Sequence, residues 1–247
     1  MTSRPMAAPR PDHPRQVLVV IPTYNERENL PEIIRQVLAL GESFRVLVVD
    51  DNSPDRTGEV ADQLAAKCDR VDVMHRPHKQ GLGRAYIAGL QRGIASGAPI
   101  IAQMDADHSH RPIDLNTMVD AMIDDVDLVL GSRYISGGAT EGWPWHRKLI
   151  SRAGGIYAGK VLGVPIRDLT GGFKVWRREL LEAIDLPSIT SDGYSFQIET
   201  TYRAVQQGAR IVQVPIVFHD RVAGKSKLSR RVVFEAAVRV WRFRLGR

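Results

Sequence analysis

Acidic side chains stand where three short apolar runs end. Gln16 to Ile21 gives way to Pro22-Thr23-Tyr24-Asn25-Glu26, Phe44 to Val49 to Asp50-Asp51-Asn52-Ser53, and Ile100 to Met104 to Asp105-Ala106-Asp107. For Asp50 and Asp51 alone the plain reading is a turn or helix-cap aspartate. Repetition at three run ends shifts the weight toward one shared site. Asp105 and Asp107 are hard oxygen donors one residue apart, a pair able to grip a divalent cation. Mg²⁺ or Mn²⁺ prefers such ligands together with phosphate oxygens. A lone D-x-D is a weak pattern in a chain with 28 acids, so its place at a strand end carries the argument.

The basic residues supply the complement. Arg133 lies in Gly131-Ser132-Arg133-Tyr134, followed by Arg147 and Ser151 and later by Arg221, Lys225 and Lys227. Arg147 and Ser151 are four apart on an expected helix, so they share a face and could hold one phosphate between them. Acids for a metal and separate cations for phosphate imply a site that handles two phosphorylated species. His108 and His110 admit a zinc reading with Asp105 or Asp107. There is no H-E-x-x-H and Cys68 is remote, so packing or orienting a neighbour is the preferred role. Gly81-Leu82-Gly83 is followed by Arg84-Ala85-Tyr86, and the first turn lacks the glycine fingerprint, which argues against a nicotinamide enzyme and leaves a tight turn into a helix.

The elements that must position these groups alternate. The first two runs are β-branched with almost no polar interruption, as in strands buried on both faces of a parallel sheet. Between them Leu30, Ile33, Ile34, Val37 and Leu38 recur at helical spacing, with Asn29 and Glu32 as a variant capping box and Gly41 at the C-terminal cap. Helices follow near 57–67 and at 82–95, strands at 71–75, 100–104 and 127–130. This is the α/β pattern of a doubly wound, mostly parallel sheet with helices on both faces, whose ligands bind beyond the carboxyl ends of the strands. After Gly131 the reading is less regular: a helix near 145–161, a polar, glycine-containing stretch at 168–176, a helix near 196–207 and a strand at 211–218.

With 247 residues, 43% hydrophobic and 25% charged, the composition excludes a disordered or collagen-like chain. The organisation expected is a leader at 1–15, one catalytic domain at 16–228 and a basic amphipathic helix at 229–247. A single Cys68 allows no internal disulfide, and no apolar run nears the ~18 residues of a membrane span. The net charge of +6 sits in the tail: from Arg221 onward nine Lys or Arg face the single Glu235, whereas the preceding 220 residues carry 25 Lys or Arg and 27 acids. Nucleic acid, an anionic membrane or a phosphorylated ligand would each suit such a tail. A nucleic-acid module leaves the acid-bearing strand ends unexplained, so no nucleic-acid partner is expected.

Together, IPTYNERENLPE, VVDDNSPDRTG, GLGRAYIAG, MDADHSH, GSRY, RKLISR, DLTGGFK and FHDRVAGKSKL, in this order from about Ile21 to Leu228, resemble the polyprenol/dolichol-phosphate mannose synthases. These are inverting glycosyltransferases of the A-type fold, and the Arg- and Ala-rich character is closest to the actinobacterial catalytic domains. The resemblance implies transfer of mannose from GDP-mannose to a polyprenyl monophosphate, and a cytoplasmic enzyme peripheral on the inner face of the plasma membrane or held there by a separate anchoring protein. It implies nucleotide-sugar contacts from Pro22, Tyr24, Glu26, Val49, Asp51 and Ala106. Asp105 and Asp107 would ligate Mg²⁺ or Mn²⁺, Arg133, Arg221 and Lys227 would approach the diphosphate, and Arg133, Arg147 and Ser151 would bind the acceptor phosphate. Where some members carry Gln two residues after D-A-D, this chain carries Ser109, which leaves the third protein ligand of the metal unassigned. The nearest rival is the same fold making polyprenyl-phosphoglucose from UDP-glucose.

A phosphate monoester has a second pKa near 6, so the acceptor needs no general base. That agrees with the lack of a convincing catalytic His or Glu. The segment from His219 to Leu228 reads as a loop expected to close over the diphosphate. The terminal helix carries Phe234, Val238, Trp241 and Leu245 near one side and Arg231, Arg239 and Arg242 near another, the pattern of a helix lying on an anionic membrane or packed on the domain.

Overall fold

The computed structural model describes residues 16–123, 125–220 and 230–245, the last stretch with side chains from Ala237. The first half is the regular alternation: β1 (Val17–Thr23), α1 (Leu30–Leu38), β2 (Phe44–Asp50), α2 (Thr57–Ala65), β3 (Val71–His75), α3 (Leu82–Ala95) and β4 (Ile100–Gln103). The second half has α4 (Asp114–Asp120), β5 (Leu128–Ser132), β6 (Ala139–Glu141), α5 (Trp145–Leu162), β7 (Lys174–Arg177), α6 (Arg178–Ala183), α7 (Gly193–Gln206), β8 (Ile211–Pro215), β9 (Val217–His219) and α8 (Arg230–Arg244).

Seven strands form one sheet in the order β3-β2-β1-β4-β7-β5-β8. All neighbours are parallel except β7, which runs antiparallel to both β4 and β5. All seven residues of β1 are buried, as a strand covered on both faces requires. One apolar layer places α1, α2 and α4 over Val19, Ile21, Val46 and Val48. The other places α3, α5, α6, α7 and α8 over Val20, Val49, Ile101 and Trp176. At Gly89 a Cβ would stand 2.4 Å from Val20 Cγ1 and 2.9 Å from Val49 Cγ2, so only glycine lets α3 lie this close to the sheet.

Several local expectations are corrected. Asn29 forms no side-chain cap of α1; its amide donates to Glu26 Oε2 at 2.8 Å. The run read as one strand at 211–218 is two, because Pro215 ends β8 and β9 pairs with β6 in a separate two-stranded ribbon. The stretch read as polar at 168–176 contains a buried strand. Lys174 hides β7 from a hydrophobicity pattern, yet it is 1% exposed, with Nζ donating to Gln197 O at 2.8 Å and Thr200 Oγ1 at 2.9 Å. Trp176 on the same strand donates from Nε1 to Gln103 Oε1 at 2.6 Å, which locks β7 to β4. The terminal helix α8 packs on α5 and α7, with Val240 buried and Val238, Trp241 and Leu245 exposed.

Burial lowers the Lys174 ammonium well below its ordinary 10.5, although the Asp168 carboxylate opposes the shift. The unfolded chain therefore holds a proton that the folded chain lacks between the lowered value and 10.5, and stability rises with pH across that window. Measured against Lys174→Met, the wild type should gain unfolding free energy as pH climbs from neutrality to about 10. Denaturant titrations at several pH values check this; a difference that stays flat would mean that Lys174 is charged in the fold.

Candidate active site

The acid-bearing ends of β1, β2 and β4 converge at one edge of the sheet, since Thr23 pairs with Asp50 and Val20 with Gln103 in register. Their acids have different duties. Asp50 is buried and bound by Thr23 Oγ1 at 3.1 Å, Ser53 Oγ at 2.6 Å and the Ser53 N–H at 3.1 Å, which makes it the turn residue of the plain reading. Asp51 forms a buried ion pair with Arg76 and accepts the Gln80 N–H at 3.2 Å. Tyr24 lies on the rim with Lys79 Nζ 3.4 Å above its ring, and Glu26 is tied to α2 by its N–H to Thr57 Oγ1 at 3.0 Å. Pro22 and Val49 are buried, and the Val49 side chain packs against Gly89 of α3 rather than opening to the crevice.

The D-A-D segment is held from three sides. Tyr86, buried on α3, donates its hydroxyl to Asp105 Oδ1 at 2.6 Å. Burial and then the Asp105 charge push this phenol well above its ordinary value, so it stays a donor. The Asp105 N–H donates to His110 Nδ1 at 3.1 Å, which fixes Nδ1 as an acceptor. The His110 ring stacks on Phe173, centroids 4.7 Å apart. Asp107 Oδ1 accepts the Ser109 N–H at 3.1 Å and its hydroxyl at 2.5 Å, so Ser109 orients Asp107. Among the described residues no group of three or more His, Cys, Asp or Glu could hold a metal by itself. Two oriented carboxylates fit a hard cation that takes the rest of its shell from phosphate and water, and not a zinc site closed by protein ligands.

Arg133 is not a surface cation. Its Nε and Nη2 bind Asp168 Oδ2 and Oδ1, each at 2.7 Å, its backbone N–H binds Oδ2 at 3.0 Å, and Nη2 also reaches Thr170 Oγ1 at 2.9 Å. The two side chains are 4% and 0% exposed. Burial alone would raise the Asp168 carboxyl, but the Arg133 charge and three hydrogen bonds from it hold the carboxyl below its ordinary value. Burial likewise opposes the Arg133 charge, and Asp168 reverses this and holds the guanidinium above its ordinary value. The rings of Tyr134, Trp143 and Phe218 stand 5.2, 5.5 and 5.3 Å from its guanidinium carbon.

Arg147 and Ser151, as their spacing predicts, share one face of α5 and open into a cavity of about 350 Å³. Trp143 and Thr170 stand at the same walls. Ile150, Ala153, Gly154, Tyr157 and Ala158 of α5, Tyr194 and Ile198 of α7, and Ala237 and Val240 of α8 give the rest a mostly apolar lining. Arg133 is not on this wall; Thr170 and Trp143, which touch it, are. Phe218 connects cavity and D-A-D segment, with its ring 5.3 Å from His110 on one side and 5.3 Å from Trp143 on the other. Of the loop expected to close, His219 ends β9 and Asp220 is described, while Arg221 and Lys227 lie outside the described residues. Sequence reasoning missed Tyr86, Asp168, Trp143, Thr170 and Asp220. All but Trp143 sat inside a quoted motif, but only the fold reveals their partners.

The mixed sheet thus carries its acids at the carboxyl edge, and a separate cavity beside it carries a cation. The chain belongs to glycosyl transferase family 2, whose model matches residues 18–185. It is 48% identical over 227 residues to the polyprenol monophosphomannose synthase of Mycolicibacterium smegmatis, covering 92% of this chain and 86% of that protein. It is 46% identical to the undecaprenyl-phosphate mannosyltransferase of Micrococcus luteus, covering 94% and 95%. At 38% identity over 232 residues it also matches the dolichol-phosphate mannosyltransferase of Pyrococcus furiosus, covering 92% of this chain and 63% of that one. The fold is shared with glucosyl-3-phosphoglycerate synthase from Mycobacterium tuberculosis, at a TM-score of 0.67 and 20% identity over 94% of this chain and 80% of that chain.

The buried pair should be indispensable to the fold. Asp168→Ala leaves Arg133 without its counter-charge and should cost about 3–5 kcal/mol in urea unfolding. In the wild type this contribution is present above the unfolded carboxylate value and is lost as pH falls through the lowered folded one. A loss below about 1 kcal/mol, the range of exposed pairs, would show that water reaches Arg133.

Proposed function

We propose that the protein transfers mannose from GDP-mannose to a polyprenyl monophosphate with inversion at the anomeric carbon, releasing GDP. One observation carries the reading: a cavity with Arg147 and Ser151 on a mostly apolar wall, connected through Trp143 and Phe218 to the D-A-D segment. A charged head and an apolar body are what a prenyl phosphate presents. The names borne by the 48% and 46% identical relatives agree with that substrate class.

In this reading Tyr24, Glu26 and Asp51 receive the nucleoside at the ends of β1 and β2, with Pro22 and Val49 packing beneath. Asp105 and Asp107 would hold Mg²⁺ or Mn²⁺, and Ala106 lies between them against the donor. The fold neighbour has been crystallised with Mn²⁺ and UDP at a TM-score of 0.66. When bound, the metal offsets the charge that develops on the departing diphosphate, a task shared with Arg221 and Lys227. Arg147 and Ser151 hold the acceptor phosphate, already ionised at neutral pH, and direct an oxygen to the face of the sugar opposite GDP. Arg133 acts from beneath by fixing Thr170 and Trp143. The charge of the acceptor site falls to Arg147 rather than to both arginines.

The substrate also explains the outer surface. Adjacent helices α5 and α8 expose Trp145, Leu149, Trp241 and Leu245, interspersed with exposed Lys148, Arg152, Arg242 and Arg244. That pairing of aromatic and cationic side chains suits peripheral contact with an anionic bilayer. Among the described residues no helix is long and apolar enough to cross a membrane.

Incubation with radiolabelled GDP-mannose, GDP-glucose or UDP-glucose, each with a short polyprenyl phosphate and Mg²⁺ or Mn²⁺, tests the reaction. A lipid-soluble, mild-acid-labile mannosyl product is expected, and a glucosyl product from UDP-glucose alone would overturn the donor assignment. Asp107→Ala should abolish transfer while leaving the unfolding transition in place; retention of most activity at saturating donor and metal would remove Asp107 from the metal site. Arg147→Ala should raise the KM for prenyl phosphate by roughly tenfold or more and that for GDP-mannose far less, the loss expected for a charge-assisted contact. Equal effects on both would move Arg147 out of the acceptor pocket.

A further inference from the structure

Arg147 is the charged side chain on the cavity wall among the described residues, and a carboxylate already occupies it. Its Nη1 donates to Asp220 Oδ1 at 2.7 Å, in a pair whose side chains are 13% and 40% exposed. Its guanidinium carbon lies 3.9 Å from the centre of the Trp143 ring. Asp220 is set in place by its backbone, whose N–H donates to Glu141 O at 3.0 Å as the β6–β9 ribbon ends. Its Cβ faces Gly142, which at φ +74° stands so close that an added Cβ would be 3.0 Å away. Ser151, Thr170, Tyr157 and Tyr194 are the hydroxyl-bearing residues of the wall and add no charge. An anion entering the cavity must therefore take Arg147 from Asp220 or share it.

We propose that Asp220 determines acceptor specificity: it is a built-in competitor for Arg147 that yields to a phosphate monoester and turns away phosphodiester headgroups. The inference rests on the cavity being the acceptor site. Either anion leaves the displaced carboxylate nearby, 40% exposed and screened by water; a diester carries one negative charge, so its exchange for Asp220 only replaces one unit of charge by another. A monoester carries about −1.5 to −2 at pH 7 and three acceptor oxygens, so it gains charge attraction and can bond Arg147 and Ser151 together. Trp143 keeps the guanidinium in position through the exchange, because a ring face attracts the cation whichever anion it holds. An apolar wall cannot make this distinction, since the tails of diester lipids satisfy it as well as a prenyl chain.

The test uses the full chain with GDP-mannose and Mg²⁺ in detergent, transferring to a short prenyl monophosphate against a short-chain phosphatidylglycerol as competitor. Asp220→Asn keeps the size of the side chain and removes its charge. It should bring inhibition by phosphatidylglycerol to a roughly tenfold lower concentration, the order of one charge-assisted contact, with the KM for prenyl phosphate lowered by a much smaller factor; equal factors would overturn the proposal. Asp220→Ala, which removes the hydrogen bond too, should shift inhibition the same way and guards against a misfolded single variant. Equal inhibition of wild type and both variants overturns the proposal. So does a raised acceptor KM in the variants, which would make Asp220 a positioning residue for Arg147. Arg147→Ala in the same assay separates the layers: an unchanged acceptor KM refutes the acceptor-site reading itself. A raised acceptor KM with no change in lipid discrimination at Asp220 refutes only this inference.

Discussion

A guanidinium shut away from water ties the parts of this site together. Arg133 stands at the end of β5, and Asp168 comes from the segment that leads into β7, so their pair, 4% and 0% exposed, pins the loop between α5 and β7 to the sheet edge. Desolvating both charges is costly, and Coulomb attraction repays it only with every hydrogen bond made. Here the carboxylate accepts two guanidinium N–H groups and a backbone N–H. The geometry around the pair is thereby fixed. Thr170, Tyr134, Trp143 and Phe218 all take their places against Arg133, and two of them form walls of the cavity.

On the proposed reaction two anionic substrates meet at one carbon and repel each other, and the arrangement of charge answers that repulsion by separation. Carboxylates lie at the ends of β2 and β4, cations on α5. The bridge between them is aromatic: His110, Phe218 and Trp143 are in successive edge contact. Aromatic rings fill the space without adding a charge that either substrate would compete for. On the proposed reaction this leaves alignment to Arg147 and Ser151 and leaving-group stabilisation to the D-A-D side, so the two tasks can be tuned independently.

How much of this was legible in the sequence depends on whether a residue's partner is near it in the chain. The first four strands and α3 were readable because unbroken β-branched runs and 3.6-residue spacing are local signals. Arg147 and Ser151 came from the same logic, four residues apart on a helix. Asp105 and Asp107 were readable from a strand end, but Tyr86, which holds Asp105, is 19 residues away. Asp168 is 35 residues from Arg133, and Asp220 is 73 from Arg147. A buried lysine in β7 hid a core strand inside a stretch read as polar, since its amine is answered by a helix carbonyl that no local pattern reveals.

The same distinction explains why α5 is such a poor amphipathic helix. A helix packed on a core shows one apolar stripe and one polar face, but α5 meets three environments. Gly155, Ala158, Gly159 and Leu162 are buried on the domain; Ile150, Gly154 and Tyr157 line the cavity; Trp145, Leu149 and Ile156 face outward. Gly155 and Gly159 lie against the carbonyls of Arg167 and Val164, where a Cβ would sit 3.0 and 3.2 Å from oxygen, so the helix presses onto backbone rather than side chains. That close approach on one side leaves the other side free for the cavity between α5, α7 and α8. Apolar surface that an ordinary helix would bury in its own core is thus left for a hydrophobic guest and for whatever surface delivers it. The helix that reads worst by periodicity is the one on which the proposed lipid chemistry depends.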